Sequence, residues 1–542
     1  MATFTNEFTT NSAVLDSAHV GDIRGALGTI RLDDMAPRRG ISARMRTMLA
    51  ILGPGLIVMV GDNDAGAFGT YTQAGQNYGT RLLWTLLLLI PVLYVNQEMV
   101  LRLGAVTGVG HARLILERYG RFWGAFSVID LFLLNAMTIV TEFIGISLGL
   151  RYLGVPLLPG VAVSAVIILA AVSTGSFRRF ERISLALVAG SLLLVPVFVM
   201  AHPALPSLAH DLLVPGMPSG SSLSDVMLLI IAIVGTTVAP WQLFFQQSYV
   251  IDKRITPRFM AYEKIDLWIG ISLAVMGAGA MMAFTTFAVQ GTGRAGNFTD
   301  ALGVAQALGA TVSHSAGVLF AIALIDASII GASAVGLSTS YAIGDVLGLR
   351  HSLHRKASDA KGFYAVFAAL IIGAATIVVI PGSPLGLLTE GVQTLAGVLL
   401  PSATVFLLLL CNDRAVLGPW VNTHRMNVFT GLVTAVLVML SVILTAAVLF
   451  PGMGSGQMLD VLASGAAISL VGWAVVELRR RRNPVAPVER AGRDAWRMPK
   501  LEELVPDRFT GGRRLGLAVL RGYLLIAMAL VVVRIIQLAL AH

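Results

Sequence analysis

The stretch "VGDNDAGAFG", residues 60–69, places two aspartates and an asparagine inside an apolar segment long enough to cross a bilayer. A charged side chain near the bilayer centre costs roughly 2.5–3.5 kcal/mol on insertion scales. Asp62 and Asp64 therefore need a cavity, a partner or an ion. Helix-weakening residues flank them, in "GPG" at 53–55 and "DAGA" at 64–67, and an interrupted helix frees carbonyls that a cation can bind. Small residues also occur wherever membrane helices pack closely, but combined with acids at mid-depth they favour a binding site.

The composition fixes the surroundings of this stretch. The chain has 542 residues, of which 56% are hydrophobic and 13% charged, and its mean hydropathy is +0.79. These values lie far outside the range of soluble domains, so we predict an all-α polytopic membrane protein. Twelve spans are predicted, near 51–76, 82–101, 124–150, 156–175, 183–201, 224–250, 265–290, 316–345, 362–381, 391–411, 427–450 and 457–477. A thirteenth candidate span, 515–541, is interrupted by Arg521 and Arg534.

Basic residues lie mainly on one side of the predicted membrane. They concentrate in every second connection, after the second, fourth, sixth, eighth and tenth spans, which predicts a cytoplasmic amino terminus. A basic arm at 31–47 and a basic linker beginning "RRRRNPVAPVER" at 479 agree with this orientation. The residues concerned are Arg102, Arg113, Arg118 and Arg121; Arg178, Arg179 and Arg182; Lys253, Arg254, Arg258 and Lys264; Arg350, Arg355, Lys356 and Lys361; and Arg414 and Arg425.

The same survey excludes several classes of protein. The net charge of +9 follows from the topology, and the absence of a basic folded domain excludes a nucleic-acid partner. Cys411 is the only cysteine, which excludes a disulfide framework or a cysteine metal cluster. Residues 2–12 are polar, so no secretory signal precedes the first span. No HExxH, Walker or GxSxG motif is present, so we expect a secondary transporter or channel and not an enzyme.

The sixth span matches the first. In "IAIVGTTVAPWQLFFQQSYV", residues 231–250, an apolar run is interrupted by Gly235, Thr236, Thr237 and Pro240. Proline has no N–H, so the Thr236 carbonyl loses its helical partner. Interrupted spans one and six, five helices apart, are typical of an inverted five-plus-five repeat with its substrate site at the midplane.

These residues resemble a known family. "GPGLIVMVGDNDAGAF", "RLGAVTG" at 102–108, "TEFIG" at 141–145 and "VGTTVAP" at 234–240 are similar to the NRAMP family of divalent transition-metal transporters, and most similar to its bacterial magnesium-transporter branch. The resemblance covers spans one to ten and implies a LeuT-type fold, two inverted repeats with discontinuous helices one and six, that works by alternating access. Additional helices would follow.

The domain boundaries follow from the spans and the resemblance. We predict a cytoplasmic basic arm at 1–48, a transporter core at 49–411 with repeats at about 49–205 and 222–411, helices eleven and twelve at 412–478, a basic linker at 479–514 and a membrane helix, spanning or interfacial, at 515–542.

The resemblance also implies a set of metal ligands. The family's first-span "DPGN" falls on 64–67, so the metal-binding aspartate is Asp64, whereas the binding asparagine has become Ala67. The family's "MPHN" falls on 239–242, so the methionine ligand has become Ala239 and its last residue Gln242. The two backbone carbonyl ligands fall on Gly61 and Thr236, and the Thr237 hydroxyl is a further candidate.

The implied site contains only oxygen ligands. Carboxylate, carbonyl and water suit magnesium, calcium and manganese, whereas a thioether favours later transition metals. Loss of the asparagine and methionine side chains also enlarges the site, and magnesium commonly keeps several waters. We therefore expect uptake of partly hydrated Mg²⁺ across the bacterial inner membrane, with a single subunit sufficient for transport.

Other polar residues are candidates for a pathway or a supporting contact. Asp62 and Asn63 do not share a helix face with Asp64, so a polar contact to a neighbouring span is the alternative to coordination. Glu142 matches the family's third-span glutamate, and Asp326 lies about mid-depth in the eighth span, where a structural contact is as plausible as an ion path. Gln393 in the tenth span is a weaker candidate.

Proton coupling and several alternatives remain open at this point. The family's sixth-span histidines fall on Trp241 and Gln246, and a third-span aspartate falls on Ile139. A proton relay needs titratable groups, so we expect uncoupled uptake. The alternatives are Mn²⁺ transport, proton-coupled Mn²⁺ or Fe²⁺ transport, a sodium-coupled amino-acid transporter of the same fold, and a metal sensor or scaffold that docks through 479–514.

Overall fold

The described chain is almost entirely helical. The computed structural model describes residues 16–218, 220–381, 392, 396, 402–450, 453–482, 489–506 and 511–540. Within these ranges nine helices are long and apolar enough to cross a membrane, and the strands form one short hairpin. The predicted all-α polytopic fold is confirmed.

The α-helices are numbered here in chain order. The first half contains α1 (Ile41–Ile51), α2 (Pro54–Gly61), α3 (Ala65–Tyr78), α4 (Trp84–Thr107), α5 (His111–Tyr119), α6 (Arg121–Tyr152), α7 (Leu157–Val172), α8 (Phe177–Gly190), α9 (Leu194–Met200) and α10 (Leu205–Leu213). The second half contains α11 (Leu223–Thr237), α12 (Pro240–Asp252), α13 (Met260–Val289), α14 (Ala301–Thr311), α15 (His314–Leu347), α16 (Lys361–Val379) and α17 (Ser402–Cys411). The remaining helices are α18 (Arg414–Leu417), α19 (His424–Leu449), α20 (Ser455–Arg482) and α21 (Gly511–Leu540).

The shorter elements lie mainly at the ends of the spans. Strands β1 (Ile23–Arg24) and β2 (Thr29–Ile30) pair antiparallel, with Ile23 opposite Ile30. Single 3₁₀ turns occur at Ser17–His19, Gly79–Leu82, Ser191–Leu193, Pro257–Phe259, Gly418–Trp420, Arg493–Ala495 and Leu501–Glu503.

The order of elements repeats between the two halves. Each half begins with a broken span, α2 and α3 or α11 and α12, and continues with one long helix and one short helix. The next helices, α6 of 32 residues and α15 of 34, pack extensively against each other. This order agrees with the predicted inverted repeat.

Local sequence explains both breaks. Pro54 occupies the first turn of α2, and Asp64 caps α3 by accepting a hydrogen bond from the Ala67 N–H at 2.9 Å. Pro240 occupies the first turn of α12, where its missing N–H costs nothing. The chain therefore starts a new helix on the far side of each interruption, as predicted for 51–76 and 224–250.

Three short helices were not predicted, and two predicted elements differ in extent. Helices α5, α10 and α14 have only nine, nine and eleven residues, too few for a span, so the search for spans could not find them. The predicted basic arm ends in a regular helix, α1, which meets α2 at 49°. Of the tenth predicted span only residues 392, 396 and 402–411 are described, and the apolar part of α21, Leu515–Ile526, is shorter than a span.

Candidate functional site

The two helix breaks meet inside the bundle. Asp62 ends α2, and its carboxylate accepts a hydrogen bond from the Gln242 side chain in the first turn of α12. The same Gln242 nitrogen lies 3.3 Å from the Thr237 carbonyl at the end of α11. Residues 180 positions apart in the chain thus form one polar centre. Asp62 thus makes a polar contact with a neighbouring span, which was the alternative to metal coordination for this residue.

Gln97, in α4, holds Gln242 in place. Its side-chain nitrogen donates to the Gln242 side-chain oxygen at 3.0 Å, so the Gln242 nitrogen faces Asp62. Gln97 is 1% exposed and lies in "VNQEMV", a polar interruption of the second span. Sequence reasoning missed it, although an amide at that depth is the signal that could have identified it.

Glu142 completes the first break from the side of α6. Its Oε2 accepts from the Ala65 N–H at 3.2 Å, and Ala65 is the residue that directly follows Asp64. The sequence-predicted Glu142 therefore lies beside Asp64.

The predicted carbonyl ligands have both lost their helical donors. In a continuous helix the Ala65 N–H would bond the Gly61 carbonyl, but here it donates to Glu142. The Thr236 carbonyl faces Pro240, which has no N–H. These two oxygens are the kind of acceptor that an interrupted helix offers to a cation.

The remaining predicted ligands occupy the walls of the same site. The Thr237 hydroxyl donates to the Ile233 carbonyl at 2.6 Å and lies 2.7 Å from the hydroxyl of Tyr71, a buried residue that sequence reasoning missed. Ala67 is buried behind the Asp64 carboxylate, and Ala239 precedes Pro240. Their roles as ligands stay predictions.

Open space lies beside the first break. A Cβ added at Gly69 or Gly235 would meet no atom within 4 Å, whereas one at Gly66 would lie 3.2 Å from the Asp64 carboxylate and 3.8 Å from the Thr236 hydroxyl. In contrast, all eight residues of α2 are buried. The site therefore has room on the α3 and α11 side and is closed on the α2 side.

The other predicted pathway residues, Asn63, Asp326 and Gln393, do not share one location in the structure. Asn63 donates to the Ala274 carbonyl of α13 at 3.0 Å, which tethers the break to the seventh span. Asp326 lies against Gly190, where the fifth span changes from α-helix to 3₁₀ turn. Gln393 lies outside the described residues.

The buried acids of the site have no protein counter-ion in the described part of the chain. Asp62, Asp64 and Glu142 are 2%, 7% and 0% exposed. Across the described ranges, no salt bridge joins any of them to a lysine, arginine or histidine; the ion pairs found lie elsewhere. Buried carboxylates are normally paired or coordinate a metal, so the site is suited to a cation from outside the protein.

Comparisons with known proteins agree with this arrangement. The family model described as "Natural resistance-associated macrophage protein-like" matches residues 55–447. The chain is 30% identical over 395 residues to the divalent metal cation transporter MntH of Ralstonia nicotianae, covering 70% of this chain and 86% of the relative. It is 27% identical over 416 residues to MntH of Aeromonas hydrophila, covering 74% and 96%.

A solved structure shows the same fold. The manganese transporter of Eremococcus coleocola, in complex with an aromatic bis-isothiourea compound, superposes with a TM-score of 0.64 at 22% identity and covers 83% of this chain and 99% of the other. The family match spans both breaks, α2 from its second residue onward, and all of α3 to α17. The chain therefore belongs to the Nramp family.

Proposed function

We propose that this protein transports divalent metal cations, with Mg²⁺ as its main substrate, by alternating access to the site between the two helix breaks. The observation that carries the proposal is the set of three buried carboxyl groups without a basic partner among the described residues, beside two carbonyls without helical donors. A divalent cation bound there would supply the missing positive charge. The relatives are transporters, which supports transport and not catalysis.

The donor set supports magnesium over later transition metals. Ala239 stands at the position of the family's methionine, so the oxygens of Asp64, Gly61 and Thr236 remain as ligands, with the Thr237 hydroxyl as a further candidate. Magnesium requires oxygen ligands in octahedral geometry and keeps several waters, and the open space at Gly69 and Gly235 would accommodate them. Mn²⁺ is the second candidate, because it accepts the same ligands and because the Eremococcus coleocola protein of the same fold is a manganese transporter.

Uptake without proton coupling is part of the proposal. The membrane potential drives a doubly charged ion inward by about 4.6 kcal/mol per 100 mV, twice the single-charge value. The alternation of basic connections supports a cytoplasmic amino terminus in a bacterial plasma membrane. No second ion is needed to drive uptake under these conditions.

The test is transport into proteoliposomes. Mg²⁺, Mn²⁺ and internal pH would be followed for the unaltered protein, for Asp64→Asn and for Asp225→Asn, the same chemical change at an exposed position in the first turn of α11. We expect Mg²⁺ entry that Asp64→Asn abolishes, that Asp225→Asn preserves, and that leaves internal pH unchanged. Entry of Mn²⁺ alone would overturn the magnesium preference, and acidification would overturn uncoupled transport.

A further inference from the structure

The amino-terminal segment before the family-matched region is bound to three connections of the bundle. We call residues 16–51 the strap; it contains the β-hairpin and α1. Arginines from the connections after the fourth, sixth and eighth spans bind it, which places these connections at one end of the molecule, here called the basic face. The bonds run from Arg178 to the carbonyls of Gly25 (3.0 Å) and Gly28 (3.1 Å), from Arg182 to Ala26 (3.0 Å), from Arg254 to Ala18 (2.7 Å) and Asp22 (3.0 Å), from Arg258 to Asp34 (2.5 Å) and Ala36 (2.9 Å), and from Arg355 to the Asp16 carboxylate (3.1 Å).

The strap has little apolar attachment of its own. Its buried apolar side chains are few, namely Ile23, Ala26, Ile30, Ala50 and Ile51. Its larger apolar side chains are mostly exposed, namely Leu27, Leu32, Met35, Ile41, Met45 and Leu49. A segment with few buried apolar contacts opens more easily than the core. The strap is therefore held mainly by polar bonds from long side chains, which can release one at a time.

Glu181 and Lys253 join the strap to the start of the first span. Glu181 accepts from the Ala26 N–H at 2.5 Å and from the Lys253 ammonium at 2.6 Å. The same ammonium donates to the carbonyls of Ile51 (2.6 Å) and Leu52 (2.8 Å), where α1 turns into α2. Movement of α2 at this end would break this fully buried set of bonds.

Helix α2 connects this joint to the site. It runs from the joint to Asp62 and packs against α13 so closely that a Cβ at Gly55 would lie 2.6 Å from the Leu267 backbone. The Asp266 carboxylate also accepts from the Gly55 N–H at 2.7 Å. Helix α2 is therefore held both by α13 and, through Lys253 at its start, by the residues that bind the strap.

We propose that the strap is a latch that holds α2 in its closed position and must detach from Arg178 and Glu181 before the transported cation can leave through the basic face. The role of the strap as a latch rests on the proposed transport function. The docking and release of the strap can nevertheless be measured without any ion. Family membership does not imply it, because the family match begins at residue 55.

The first test is thiol accessibility in a Cys411→Ala background. Within the strap, Ala26 is 2% exposed and its neighbour Leu27 is 54% exposed. In purified protein we expect a maleimide to label Ala26→Cys at least about tenfold more slowly than Leu27→Cys, since labelling at the buried position requires opening. Equal rates at the two positions would overturn the docked strap.

The second test releases the strap with a charge-matched control. Arg178 donates to three acceptors of the hairpin, including the Thr29 hydroxyl, while the adjacent Arg179 donates to none of the strap residues within the described ranges. Arg178→Gln removes the charged donor of these three bonds and should raise Ala26→Cys labelling at least about tenfold, whereas Arg179→Gln should not. If Ala26→Cys fails to fold, the rate of trypsin cleavage after Arg31 can be compared between Arg178→Gln and Arg179→Gln in the chain without new cysteines.

The third measurement connects release to transport. Arg178→Gln should change the rate of cation entry into proteoliposomes, whereas Arg179→Gln should not, with Mg²⁺ and Mn²⁺ tested in parallel. Release without a change in transport of the ion that the unaltered protein carries would overturn the latch. If Mg²⁺ is not carried but Mn²⁺ is, the proposed substrate fails while the latch is still tested with Mn²⁺. Identical labelling in both arginine variants would show a permanently fixed segment and overturn the latch independently of the substrate.

Discussion

Two groups of buried carboxylates in this protein differ in what neutralises them. At the basic face, Glu181 binds the fully buried ammonium of Lys253 at 2.6 Å. At the helix breaks, Asp62, Asp64 and Glu142 are buried to a similar degree, yet no described basic side chain pairs with them. Burial of a charge without compensation is strongly unfavourable. The first carboxylate is neutralised within the protein, whereas the second group has no basic partner among the described residues.

The largest effect is expected when the protein's own cation is removed from the first group. Lys253→Met leaves the Glu181 carboxylate buried and unpaired and should lower the free energy of unfolding by about 3–5 kcal/mol. Lys264→Met is the matched control, because Lys264 is one-third exposed and its partner Glu98 keeps Arg102 at 3.0 Å; its cost should be about 0–1 kcal/mol. Thermal unfolding in detergent would measure both, and equal losses would contradict the comparison.

An intermediate effect is expected from His351, which follows the eighth span and pairs with Asp345 at the end of that span. Burial lowers the pKa of His351, but the hydrogen bond and charge of Asp345, 3.0 Å away, outweigh it and raise the pKa to about 9. A raised pKa contributes stability that is fully present below the unfolded value of about 6.5 and is lost as pH rises through about 9. The free energy of unfolding should therefore decrease by on the order of 2 kcal/mol as the pH rises between these two values. The melting temperature should fall with it.

Two variants isolate this pH dependence. His351→Gln should flatten the dependence between about pH 6.5 and 9, whereas His314→Gln, at an exposed position, should leave it unchanged. A slope that persists in His351→Gln would show that His351 does not cause the pH dependence.

The smallest effect on stability is expected at the helix breaks. Asp62→Asn removes a buried charge that has no basic partner and keeps an oxygen that can accept from Gln242, so the free energy of unfolding should change by less than about 1 kcal/mol. Mg²⁺ affinity should nevertheless fall about tenfold, because a carboxylate near the ion is lost. Calorimetric titration and thermal unfolding of the same preparation would separate these effects. A large loss of stability without a change in affinity would make Asp62 a purely structural residue.

Much of the site could be predicted because its signals are local. The interruptions at Gly61 to Ala65 and at Thr236 to Pro240 follow from glycine, proline and aspartate within apolar runs, and the structure places helix breaks at both. The freed carbonyl at Thr236 follows from Pro240 by the same local rule, whereas Gly61 was identified as a candidate ligand by the family resemblance. Gln97 and Tyr71 were missed, because their relevance depends on contacts with residues 145 and 166 positions away.

The strap shows the same limit at the surface. Its sequence predicts only a polar, basic arm, and the arginines that bind it were explained completely by the topology rule. In the folded protein Arg178 and Arg254 donate to backbone carbonyls of that arm. Residue type alone cannot distinguish a solvated arginine from one that is bound to a distant backbone.

The sequence by itself determined the membrane class, the approximate spans and the two interruptions, because hydropathy and helix breaking depend on residue type and local spacing. Only the tertiary structure decided which acids meet a cation. It pairs Glu181 with Lys253, 72 residues away, and leaves Asp62 with the neutral amide of Gln242. Electrostatic energy depends on distance in space and on burial, and both are set only when the helices pack.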